Sequence, residues 1–496
     1  MKRAMRIWWV GLVVILLVLP AVGQAMPPHP SLLDKIARGE VQLPDYMAAP
    51  ELRALGGPDQ PEAAPSGLTG TVRALVVLVD FSDKVKTVTA TYFDTLVFAA
   101  PVVGRGSVRD YFNEVSYGAV DIVTVNLPSS IGWKRAPQTL SYYVSGGSYG
   151  TGTYPNNCQK LAEDLVEAVD GVVDFSQYDN TGSGYATPIM IVHAGRGAEF
   201  TGSASDIWSH SWSLKTAKFK DGVWVSRYVI MPEYWLTVSA STSDMTIGVF
   251  AHEMGHGFWN LPDLYDRTNV SSGIGNWSLM AGGSWNGPVV GGYTLGASPA
   301  WPDAWSRVQM GVVTPTVIRS KAIGKSIPQA YNNPGAQTVL KLTSKFLAPL
   351  EYFLVENRQQ TANTYDQYLP GNGLFIWHID EAQWTYTIQN DRPCTQPIPC
   401  NCSPGWHYLV ALEQADNLLN LEKKNNRGDA GDPFPGSTNK RIWTMATQPG
   451  SGSWYSCQNT KIGITNISNS GAVMTADIQV PGASVVAPYQ LLLLSN

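Results

Sequence analysis

The sequence predicts an α+β protein, with a mixed domain over residues 71–315 and a β-rich region over residues 316–482. Three observations carry this. Apolar, β-branched runs such as "VRALVVLVD" and "TPIMIVHAG" read as buried strands. Between them lie stretches with helical spacing, "SVRDYFNEVSYG" behind a serine cap and "CQKLAEDLVEAVDG" ended by glycine. Beyond Thr316 the texture changes to "TVLKLTS", "EYFLVENR", "GLFIWHID" and "AVMTADIQV", which read as successive strands.

The chain opens with "MKRAMRIWWVGLVVILLVLPAVGQAM", whose order of parts is that of a secretory leader. Lys2, Arg3 and Arg6 form the positive end, Ile7 to Leu19 the apolar core, and Gly23-Gln24-Ala25 a small-residue cleavage site. The apolar run is short for a membrane span of roughly 20 residues. A signal peptide over 1–25 is expected, and a secreted, extracellular product with no stable membrane anchor. Residues 26–70 read as a prosegment and linker: a proline-led stretch with one helix, then the Ala, Pro and Gly of "AAPELRALGGPDQPEAAPSGLTG". The tail 483–496 has no assignment.

At 496 residues and 44% hydrophobic, the chain can bury two or three cores. A net charge of -5 gives no basic field, which excludes nucleic acid as the expected partner. Five cysteines suit an oxidising compartment. Three crowd into "CTQPIPCNC", where Cys457 is a candidate partner, and the odd count leaves one unpaired.

The stretch "FAHEMGHGFWNLPDLYD" carries the chemistry. On a helix, His252 and His256 stack one turn apart, so both imidazoles reach one ion at roughly 2.0–2.1 Å. Glu253 lies beside that face, displaced too far to be a ligand but placed to take a proton from metal-bound water. A zinc ion held by neutral imidazoles lowers that water's pKa toward about 7, and the glutamate completes the deprotonation as water attacks a carbonyl. The bland reading is a helix with two packed histidines. The chain has only seven histidines, and two of them stand here with the required carboxylate between.

With "IGNWSLMAGGSWNG", "PDAWSRVQMG", "VRALVVLVDFSD", "SDIWSHSW", "YFLVENRQ" and "GDAGDPFPG", this stretch resembles the immune inhibitor A family of secreted bacterial zinc metallopeptidases, relatives of the metzincins. The resemblance runs from Val72 to about Val480. It implies a metzincin-like zinc peptidase domain that acts on proteins or peptides. It also implies a third zinc ligand at the aspartate of "LPD", Asp263, and a Met-turn at "WSLMAG" with Met280 as an apolar floor. The spacing departs from the family's His-x-x-Gly-x-x-Asp by one extra residue, with Asn260 at the turn, where asparagine tolerates the left-handed conformation. Asp266 or a more distant residue therefore stays open as the third ligand.

Elsewhere, "NRGDAGDPFPG" clusters Asp429 and Asp432 with glycine and asparagine, oxygen chemistry that suits a structural calcium ion. His193, His210 and His378 read as packed, hydrogen-bonded histidines. The prosegment has no cysteine, which excludes a thiol switch; "MPPHP" reads first as a flexible polyproline-like start, with His29 or Asp34 as the alternative side chains to plug the metal. The expectation is a secreted zinc endopeptidase that is made as a zymogen. Two rivals stand beside it: a catalytically silent binding protein on the same scaffold, and a metal amidase or esterase.

Overall fold

The computed structural model describes residues 24–44, 67–100, 106–333, 338–385, 390–391, 407–456 and 458–481. A six-stranded sheet organises the first half of the chain. Its strands are β1 (Gln24–Ala25), β3 (Val76–Asp80), β5 (Lys134–Arg135), β6 (Ile189–Arg196), β7 (His210–Lys220) and β8 (Val223–Tyr234). They lie in the order β1-β7-β8-β6-β3-β5. The four from β8 to β5 run parallel, β7 is antiparallel to β8, and β1 is antiparallel to β7. A two-stranded parallel pair, β2 (Gly70–Arg73) and β4 (Val120–Val123), stands apart from it. The expected single strand at "VRALVVLVD" is thus two, broken at Ala74-Leu75.

Side chains on the sheet alternate between two cores, as a period of two requires. Val76, Leu78, Met190, Val192, Val229 and Met231 face the core that contains the helix Ile247–Trp259. Val77, Val79, Ile189, Ile191, Tyr228 and Ile230 face the helix Cys158–Val169 on the other side. Both faces being covered explains why these strands are uniformly apolar rather than alternating.

The second half holds two further sheets. One orders Thr316–Ile318, Val339–Leu342, Glu351–Arg358, Gly373–Asp380 and Val410–Leu412; the other orders Ala322–Pro328, Val473–Gln479, Gly463–Thr465 and Trp443–Thr444. Leu340, Val355 and Ile376 from the first pack with Ile327, Ile464 and Ile478 from the second. The opposite face of the five-stranded sheet, with Leu354, Phe375 and Trp377, joins the core around the helix Ile247–Trp259.

Buried Arg358 reinforces that junction. It pairs with Asp366 and donates to the carbonyls of Trp277 and Trp301, so the β-rich region grips the loop beneath the helix. Cys158 is unpaired and buried. The expected cysteine framework at Cys394, Cys400, Cys402 and Cys457, most of the leader, and the tail lie outside the described residues. Among those described, no helix is long and apolar enough to cross a membrane.

Candidate metal centre and peptide groove

The helix Ile247–Trp259 is buried along its whole length. Two of its glycines explain how it sits so deep. A Cβ on Gly248 would meet the Ser284 carbonyl at 2.1 Å, and one on Gly255 would meet the Met280 sulfur at 2.6 Å. Ser and Asp residues ahead of the helix do not cap it; Thr246 is the N-cap residue and Asp244 instead accepts from the amides of Trp235, Leu236 and Thr237. The helix ends at Asn260 in the left-handed region, φ 52°, with the Leu261 amide donating back to the Gly255 carbonyl. Asparagine pays little for that conformation, and the reversal carries the chain back toward the histidines.

His252 Nδ1 donates to the Leu279 carbonyl at 2.8 Å and His256 Nδ1 to the Leu261 carbonyl at 2.6 Å. A carbonyl only accepts, so each neutral ring carries its proton on Nδ1 and offers a bare Nε2. Those two nitrogens are 3.0 Å apart, and Asp263 Oδ1 lies 3.4 Å from one and 3.1 Å from the other. All three side chains are fully buried, and Asp263 Oδ1 has no hydrogen-bond partner. Burial would push the Asp263 carboxyl up, but the two imidazoles hold it well below the usual carboxylate range.

Three electron-rich atoms facing one point is an arrangement that a cation resolves. Ligands around zinc at about 2.0–2.1 Å in a tetrahedron lie roughly 3.3–3.4 Å from one another, close to the spacing seen here. The residues therefore fit the ion, and the backbone carbonyls on Nδ1 fix both rings for it. Glu253 is buried beside them, with neither carboxylate oxygen in a hydrogen bond of ordinary geometry. Burial, followed by repulsion from Asp263 and Glu199, pushes its pKa well up.

The groove over this centre contains the chain's own N-terminal segment. Gln24 and Ala25 pair with Ser211 and His210 on β7, and the Met26 amide donates to the Ser209 carbonyl. Trp208 Nε1 donates to the Met26 carbonyl and Trp285 Nε1 to the Pro27 carbonyl. The Ala25 carbonyl lies 3.2 Å from His252 Nε2 and accepts from the Tyr265 hydroxyl at 2.7 Å. The Glu253 carboxylate faces the Met26 amide. His29 is not the plug: its ring contacts Ser31 and the Thr294 carbonyl inside a box of Phe200, Trp285 and Tyr293. A backbone carbonyl from Ala25 stands at the centre instead.

Met280 lies under the helix against Gly255, and its carbonyl accepts from the Leu264 amide. Asp266 is taken up elsewhere, accepting from the amides and hydroxyls of Thr268 and Ser271. His210 is buried between the Trp208 carbonyl and the Tyr228 hydroxyl. His193 meets the Ala194 carbonyl on the sheet. Asp429 and Asp432 do come together, joined by Asp416, with one oxygen of each within 4.8 Å of the others. Asp432 Oδ1 is buried without a partner, and burial lifts this carboxyl to about 8.

Sequence reasoning missed Tyr265, Asp416 and Glu199, whose buried carboxyl accepts from Ser209 and is raised by burial to about 7. Tyr265 was inside the quoted stretch, two residues after Asp263. The other two carried no spacing signal.

The family described as the immune inhibitor A peptidase M6 catalytic domain matches residues 60–313, just over half of the chain. The chain belongs to this family. Immune inhibitor A of Bacillus thuringiensis subsp. alesti is 32% identical over 227 residues, 38% of this chain and 30% of that protein. The pre-pro-metalloprotease PrtV of Vibrio cholerae serotype O1 is 29% identical over 240 residues, 41% of this chain and 24% of that protein. The chain thus aligns with about a quarter to a third of the length of these relatives.

Proposed function

We propose that the chain is a secreted zinc-dependent endopeptidase, made as a zymogen whose segment from Met26 onward still occupies its own groove once the leader ending at Ala25 is removed. The observation that supports it best is the meeting of His252 Nε2, His256 Nε2 and Asp263 Oδ1, with the unpartnered Glu253 carboxylate beside a bound peptide. A metzincin-like arrangement accounts for these positions, with Met280 as the floor beneath the ligands. Zinc held by these three residues would supply a Lewis acid that polarises the substrate carbonyl and acidifies water.

The protein's own groups do the rest. Glu253 takes the water's proton and passes it to the leaving nitrogen. Edge strand β7 binds the substrate backbone as an added strand, which fixes the scissile carbonyl over the histidines. Burial of the site keeps bulk water away from these groups. The relatives named immune inhibitor A and pre-pro-metalloprotease PrtV support both the peptidase chemistry and an exported precursor. A structural calcium ion at Asp429 and Asp432, with Asp416, completes the reading.

The test is cleavage of casein by purified wild type and Glu253→Gln, each after removal of the segment docked in the groove, alongside zinc quantification. Near-stoichiometric zinc in both and cleavage only by wild type is the expected result. Zinc-loaded wild type that cleaves no protein would leave a binding module, and undiminished cleavage by the variant would refute the role of Glu253.

A further inference from the structure

We infer that Tyr265 is the hydrogen-bond donor to the carbonyl under attack, and that the Ala25–Met26 peptide marks where that carbonyl lies. The inference rests on the peptidase reading above and deepens it. Ala25 O is 3.2 Å from His252 Nε2, a separation like those among the three ligand atoms, so it takes the place of a fourth vertex around the same centre. In a catalytic zinc site that vertex belongs to water or substrate. The peptide is seated as a substrate would be: extended, antiparallel to edge strand β7, with its carbonyl at the centre and its Met26 nitrogen toward Glu253.

Among the described residues, the side-chain hydroxyl bonded to that carbonyl is that of Tyr265, at 2.7 Å. The tyrosine is buried, and its backbone is anchored on both sides. The Leu264 amide is held by Met280, the Leu264 carbonyl by Ile274, and Asp266 by four donors from Thr268 and Ser271. A donor fixed in advance, in a water-excluded site, is what stabilises charge as it develops on an oxygen.

In hydrolysis the water oxygen bonds to the carbonyl carbon, the C–N bond breaks, and the water's proton travels through Glu253 to the leaving nitrogen. The Tyr265 hydroxyl keeps its own proton throughout. It shortens its bond to the carbonyl oxygen as negative charge gathers there, and relaxes when the new carboxylate forms. A tyrosine that merely held the N-terminal segment would be indifferent to that charge.

Wild type and Tyr265→Phe, each freed of the docked N-terminal segment by limited proteolysis, would be compared for zinc content, for kcat and KM on an extended peptide, and for affinity to a phosphinic peptide. The phosphinic group mimics the tetrahedral oxyanion, and its binding is followed by tryptophan fluorescence, since Trp208 and Trp285 line the groove. The variant should keep its zinc and a KM within about threefold, while kcat falls about 10²–10³-fold and phosphinate affinity falls in parallel. A variant with wild-type kcat and wild-type phosphinate affinity overturns the assignment of Tyr265 alone. Wild type that binds neither zinc nor the phosphinate fails at the earlier step, and takes the peptidase reading with it.

Discussion

Replacing Met26 by alanine should switch the full-length protein on. Met26 is completely buried in the groove and its backbone is bonded to Ser209 and Trp208. Truncating a buried methionine to alanine costs about 2–5 kcal/mol. Here that cost falls on the docked state of the segment, because the groove can open while the sheets stay folded. At 1.4 kcal/mol per factor of ten, the open fraction should rise about 30-fold or more. The assay is the initial rate on a quenched fluorescent peptide, measured for wild type, Met26→Ala and a chain lacking residues 1–66. The expected order is wild type slowest, the truncated chain fastest, and Met26→Ala at least tenfold above wild type. Trypsin should also cut the substituted segment faster at Lys35 and Arg38, which follow the docked strand. If the truncated chain is active while Met26→Ala stays as slow and as protease-resistant as wild type, the segment is not held by this contact and the reasoning fails.

Two further outcomes follow from the β-rich region. Removing calcium with a chelator should lower the thermal midpoint, and Asp432→Asn should abolish the response; a midpoint indifferent to calcium in wild type removes that ion from the description. Buried His378 lies between Glu351 and Glu413, at 2.9 and 3.2 Å, and burial opposes its charge while the two carboxylates raise its pKa. Burial likewise opposes the Glu351 charge, but His378 and two backbone amides bring that carboxyl down to about 2 from 4.5. A depressed acid contributes stability above its unfolded value, so this share is lost as pH falls from about 4.5 toward 2; the histidine's share is present below 6.5 and lost as pH rises through its folded value. Thermal midpoints across that range should therefore peak between 4.5 and 6.5 for this cluster, and His378→Phe should flatten the difference.

The spacing of His252, Glu253 and His256 was readable because helical geometry is local: four residues make one turn whatever surrounds them. Asn260 was readable for the same reason, since its left-handed turn is written in its own backbone preference. Asp263 came from the resemblance, and the chain's reversal does bring it to the histidines. What the sequence hid is non-local or has no side chain. The pairing of Gln24 and Ala25 with β7 joins residues almost two hundred positions apart, and the leader pattern drew attention to a cleavage junction instead. The side chains open as a plug were His29 and Asp34, whereas the atom facing His252 Nε2 is the Ala25 backbone oxygen, of a kind that every residue possesses. Asp416 reaches Asp429 only through the fold of the intervening loop, so no fixed interval announced it.

The position of β7 has one last consequence. Once the docked segment departs, the sheet ends in an unsatisfied row of amides and carbonyls, the kind of border that adheres to any extended chain. Recognition by such a border reads main chain more than side chain. A chain lacking that segment would carry a sticky margin, so that crowding such molecules together should promote their self-association.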